Sequence, residues 1–96
     1  MLYSEVKKIL KKHQKSLTNR GVKSLAIFGS TALGKSSKKS DVDILIDFEA
    51  KKGLFEFVDT KLYLEEILGC EVDLVSKRAL HPHLKNKIIL EAKNVF

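Results

Sequence analysis

One change of composition constrains this chain more than any other feature. Val22 to Phe28 is almost continuously apolar at its end, through Leu25, Ala26, Ile27 and Phe28. Gly29 to Ser40 is then rich in Gly, Ser and Lys, with no apolar residue between Leu33 and Val42. Asp41 to Phe48 is apolar again, in alternation: Val42, Ile44, Ile46 and Phe48 share one face, and Asp41, Asp43, Leu45 and Asp47 the other. This reads as a strand covered on both faces, a turn with a short helical turn near Thr31 to Leu33, an exposed loop, and a second strand.

The rest of the chain supplies layers for these strands. Val6, Ile9, Leu10, His13 and Leu17 form one apolar stripe, predicting a helix from about Ser4 to Asn19 with Gly21 as its stop. A second helix is expected over Leu54 to Leu68, ended by Gly69, with Leu54, Phe55, Val58, Leu62, Ile67 and Leu68 as its buried face. Cys70 to Val75 reads as a third strand, and Pro82 opens a last helix through about Ala92. With 96 residues, no repeat and no linker, the expectation is a single domain spanning residues 1–96, of α/β (α+β) class, with a small mixed β-sheet packed with helices.

Composition narrows the setting. No apolar run approaches a membrane span, and the first residues lack a basic stretch leading into an apolar one, so neither a membrane segment nor a signal peptide is expected. The single cysteine, Cys70, cannot form an internal disulfide and fits a reducing cytoplasm. A net charge of +6 favours anionic partners. Only Arg20 and Arg78 are arginine, which disfavours sequence-specific DNA reading. An RNA-binding role would need clustered exposed aromatics for stacking, and none are evident. Self-association is left open.

The chemistry concentrates in Gly29-Ser30, a polar spacer, and Ser40-Asp41-Val42-Asp43. Two aspartates two apart on a strand point the same way, with Cα atoms roughly 6.5–7 Å apart. Like charges so placed repel unless a cation lies between them. Mg²⁺ takes hard oxygen ligands, commonly one or two carboxylates plus substrate phosphates. Asp73 is the natural third carboxylate, mid-strand between Val72 and Leu74, where a charge is costly unless neutralised. Glycine straight after a buried strand permits a sharp turn and close approach, and free N–H groups near Ser30 suit phosphate.

A rival motif overlaps the first. Gly29 to Ser36 reads Gly-x-x-x-x-Gly-Lys-Ser, a complete P-loop pattern. A P-loop opens a crossover helix leading to a parallel strand, and Ser37-Lys38-Lys39-Ser40 is too short and too polar to supply one. Other residues have plainer readings: His13 as packing, His81 and His83 as the start of the last helix or a partner contact, Cys70 as a small buried residue, and Tyr3 and Tyr63 as packing or partner positions. Asp47 shares the face of Asp43 but lies about 13 Å further along the strand on general geometry, which leaves it out of a metal site.

The arrangement Gly-Ser-x-x-x-Gly, five residues, Ser-Asp-x-Asp resembles the minimal nucleotidyltransferases of the polymerase-beta-like nucleotidyltransferase superfamily. The likeness runs from about Val22 to Ala92 and includes the Glu71-Val72-Asp73-Leu74-Val75 strand and the Leu80-His81-Pro82-His83-Leu84 segment. The resemblance implies that fold, with Asp41, Asp43 and Asp73 catalytic and binding metal (two Mg²⁺ ions), and Gly29 and Ser30 holding the triphosphate of ATP. Family members often carry arginine in the spacer; this chain has Thr31 and Leu33 there, leaving Lys35 as a candidate phosphate contact. The family also implies transfer of AMP to a hydroxyl, and a HEPN-domain toxin as partner, with a tyrosine of that toxin as acceptor and the chain as antitoxin. The competing class is a binding module that masks a toxin without catalysis, which would not need the carboxylates.

Overall fold

The computed structural model describes residues 2–29, 42–50 and 53–96. Ser30, the predicted turn at Thr31 to Leu33, Lys35 and Asp41 lie outside the described residues. In chain order the elements are α1 (Tyr3–Lys12), α2 (Gln14–Asn19), β1 (Val22–Phe28), β2 (Val42–Phe48), α3 (Leu54–Leu68), β3 (Val72–Ser76), a 3₁₀ turn (Lys77–Ala79), α4 (Pro82–Glu91) and β4 (Lys93–Asn94). Among the described residues the strands form one mixed sheet in the order β3-β2-β1-β4. β1 runs antiparallel to β2 and β4, and β2 runs parallel to β3, the connection between them passing through α3.

The alternation in β2 sorts its side chains as expected. Val42, Ile44, Ile46 and Phe48 are buried with Leu25, Ile27, Val72 and Leu74, and helices bring Val6, Leu10, Leu17, Leu64 and Leu68 into the same core. Among the described residues no helix is long and apolar enough to cross a membrane.

Four expectations need correction. The first helix is broken at His13, whose Nδ1 donates to the Ile9 carbonyl at 2.9 Å while its own N–H is shared between the Ile9 and Leu10 carbonyls, both at 3.2 Å. A side chain bonding back to a carbonyl four residues earlier competes with the helical ladder and bends it. The third strand starts at Val72, not Cys70, and Cys70 is half-buried against the core. A fourth strand of only two residues, Lys93 and Asn94, pairs with Ile27 and Ala26 and brings Val95 into the core; two residues carry no period to read.

The largest departure is α3. Its inward face is Thr60, Leu64 and Leu68, supported by Phe57, Tyr63 and Ile67. The Thr60 hydroxyl is satisfied by the Glu56 carbonyl at 2.8 Å. Leu54, Phe55, Val58 and Leu62, expected inside, are 74, 88, 41 and 57% exposed. The helix carries two apolar stripes, and only one can face the sheet.

Candidate functional site

The site is built where β1 ends and β2 and β3 begin. The parallel register sets Asp43 beside Asp73, and the antiparallel register sets Asp43 opposite Phe28, the residue before Gly29. Register partners on adjacent strands project to the same face, with strands about 4.8 Å apart. Asp43 is half-buried and Asp73 is exposed. The exposure corrects the expectation that Asp73 is a buried charge: an edge strand leaves it in water, at little desolvation cost. Of the three predicted carboxylates, the fold brings these two together; Asp41 and Ser30 lie outside the described residues. Among the described residues no group of three His, Cys, Asp or Glu side chains is placed to hold a metal ion.

Gly29 is fixed here by two constraints. Its φ of +67° lies in the left-handed region that side chains disfavour. A Cβ built on it would stand 2.2 Å from Asp43 Oδ2 and 3.0 Å from Asp43 Cγ. The close approach anticipated for a ligand is therefore made first by the Asp43 carboxylate itself. Two aspartates in register on adjacent strands form a concentration of hard anionic oxygen, the donor chemistry that suits Mg²⁺.

A third acidic residue was not legible in the sequence. Glu65 of α3 accepts the Val72 amide at 3.0 Å and receives Lys61 Nζ at 3.4 Å. The Val72 hydrogen bond is the main reason its carboxyl sits below the ordinary value of 4.5, desolvation opposes it, and Lys61 adds to the lowering. Glu65 thereby ties the end of α3 to the strand residue before Asp73. Because its folded value is lowered, Glu65 stabilises the fold above pH 4.5 and that contribution fades as pH falls through the lowered value. In thermal melts at a series of pH values, the gap between wild type and Glu65→Gln is expected to close on acidification. A gap that is constant across the series would contradict this assignment. An open cavity of about 750 Å³ adjoins the pair, lined by Lys61, Glu65, Cys70, Glu71, Val72 and Asp73.

The remaining polar residues have other duties. Asp47 is 3.5 Å from Arg78 Nε, and Arg78 also donates to the Phe48 carbonyl at 3.2 Å, so Asp47 belongs to a surface pair. His81 Nδ1 accepts the His83 amide at 3.3 Å, and the two rings stack at 4.9 Å, capping α4. His13 meets the Tyr63 ring edge-on at 6.2 Å; the Arg20 guanidinium lies 4.2 Å over the Tyr63 ring and pairs with Asp59. Tyr3 lies under Lys93 at 5.0 Å and Lys7 at 5.9 Å. The P-loop alternative fails on topology: the strands flanking residues 29–41 are antiparallel neighbours, and a P-loop crossover joins parallel strands.

Comparison with known proteins identifies the family and the fold. Residues 4–95 match the family model described as a nucleotidyltransferase domain. The chain is 41% identical over 88 residues to the protein adenylyltransferase MntA of Thermococcus cleftensis, covering 91% of this chain and 89% of that one. A solved structure assigned as a minimal nucleotidyltransferase superposes with a TM-score of 0.84 at 32% identity, covering 97% of this chain and 95% of the other. A chain of the solved complex of a tri-AMPylated Shewanella oneidensis HEPN toxin with an MNT antitoxin shares the fold, with a TM-score of 0.71 at 19% identity over 95% of this chain and 71% of that one. The chain is a nucleotidyltransferase, and it belongs to the minimal members of the nucleotidyltransferase domain family.

Proposed function

We propose that this chain transfers AMP from ATP, with Mg²⁺, to a tyrosine hydroxyl of a HEPN-domain toxin and so acts as the antitoxin of a pair. The observation that carries the reading is the register of Asp43 beside Asp73, with the Asp43 carboxylate lying against a glycine at the end of the first strand. The name of the Thermococcus relative and the AMPylated toxin of the Shewanella complex support the acceptor class.

Asp41, Asp43 and Asp73 would hold two Mg²⁺ ions, which when bound supply charge neutralisation for the attacking and leaving oxygens. Gly29 and Ser30 would hold the triphosphate through backbone N–H groups and the serine hydroxyl, aligning its α-phosphorus with the acceptor. The acceptor oxygen forms a bond to that phosphorus as the bond to the pyrophosphate oxygen breaks. Asp73, exposed at the sheet edge, takes or orients the hydroxyl proton. Ser30 and nearby N–H groups would hold the departing pyrophosphate. Masking a toxin by contact alone would need none of these carboxylates.

Mass spectrometry of a HEPN-domain protein from the same organism, incubated with the chain, ATP and Mg²⁺, tests the acceptor. AMP on a tyrosine, lost on its replacement by phenylalanine and with chelator, is the expected result. AMP confined to another residue type, or no adduct at all, would contradict the proposed acceptor.

A further inference from the structure

We infer that the outer face of α3 is the docking surface for the protein that carries the acceptor hydroxyl, and that it delivers that group into the cavity beside Asp73. The inference rests on the nucleotidyl-transfer reading above. Leu54, Phe55, Val58 and Leu62 stand at i, i+1, i+4 and i+8, which places them within an arc of about 100° along roughly 12 Å of helix. All four are exposed, Phe55 by 88%. Contiguous apolar surface of this kind on a small chain marks an interaction site. The sheet already packs against the opposite face through Thr60, Leu64 and Leu68, so no rotation of α3 buries both stripes.

The ridge leads somewhere. By helical period, Lys61 and Glu65 continue its line toward the C-terminal end of α3. These two residues wall the cavity of about 750 Å³ that also contains Asp73. A protein seated on Phe55, Val58 and Leu62 therefore reaches the carboxylate site without crossing the fold.

Charge selects the occupant. α3 carries four carboxylates; Asp59 is paired with Arg20 and Glu65 with Lys61, which leaves Glu56 and Glu66 with no ion pair among the described residues. Glu71 and Asp73 add two more exposed acids at the cavity end. A second copy meeting this face across a two-fold axis would set those acids against themselves. The complementary partner is a different protein, with an apolar patch for the ridge and basic side chains near the hydroxyl that accepts the nucleotide.

The test uses the full chain as wild type, as Phe55→Glu/Leu62→Glu and as Asp73→Asn, each checked for folding by circular dichroism. The probe is the HEPN-domain protein used above. Its binding is measured by calorimetry, and AMP transfer is followed separately. The ridge variant is expected to bind at least roughly tenfold more weakly, with a matching rise in KM for the acceptor protein. Asp73→Asn is expected to bind as wild type and transfer little. Unchanged binding by a folded ridge variant, or no binding by wild type, overturns the docking surface. A wild-type dimer in sedimentation that the ridge variant dissolves overturns it in favour of a second copy. Full transfer by Asp73→Asn would count against the carboxylate assignment alone and leave the docking surface standing.

Discussion

Asp43→Asn is expected to lower AMP transfer by roughly a thousandfold or more while leaving the fold intact. The substitution keeps the shape of the side chain and removes one charge. In the native site Asp43 lies in register with Asp73 on the neighbouring strand, and like charges directly opposite each other are destabilising. Removing one of them relieves that repulsion. The melting temperature should therefore stay level or rise as activity collapses. That opposite movement separates a functional carboxylate from a structural one, whose loss would lower both. Activity measured against thermal melts of the same preparations decides the point, and a variant that melts at a lower temperature yet remains active would contradict the account.

The second large effect is expected at Gly29. Alanine there must adopt a left-handed φ, costing roughly 1–2 kcal/mol. It also meets Asp43 Oδ2 at 2.2 Å, so the carboxylate must swing away or the strand end must shift. Gly29→Ala should lose stability and nearly all transfer. Gly69 provides the control: its φ is +70°, and nothing lies within 4 Å of an added Cβ. Gly69→Ala should show a similar backbone cost, through the C-terminal cap of α3, with transfer retained once the protein is held below its melting point. Equal activity losses in the two variants would mean that backbone strain, not the contact with Asp43, is what Gly29 avoids.

These two positions also show what a reader of the sequence can and cannot see. The strands β1 and β2 were legible because apolar alternation has a short period and the segment between them breaks it abruptly. Asp43 and Asp73 were legible as candidates because charged residues in otherwise apolar strands stand out. Their register was not: it depends on which strands become neighbours. Gly29 suggested close approach, and only the folded sheet identifies the approaching group as the Asp43 carboxylate. Glu65 was hidden for the same reason, since its partner is the Val72 backbone amide, which no side-chain pattern encodes. In α3 the apolar residues read as one broad buried face, and the sheet covers only part of it, leaving Phe55 and Leu62 outside. β4 escaped because two residues held by main-chain bonds leave no signature; Val95 N–H to the Leu25 carbonyl at 2.8 Å does the work of a pattern.

The proposed chemistry makes a demand that other phosphate-handling activities do not. The label transferred to the acceptor must come from the α-phosphate of ATP, with the β- and γ-phosphates leaving together. The direct measurement supplies wild type and Asp43→Asn with ATP labelled at either the α or the γ position, together with Mg²⁺ and the HEPN-domain protein. Label on the acceptor from α-labelled ATP, none from γ-labelled ATP, and neither with Asp43→Asn, is the predicted result. Transfer from γ-labelled ATP, or undiminished α-label transfer by a folded Asp43→Asn protein, would contradict it.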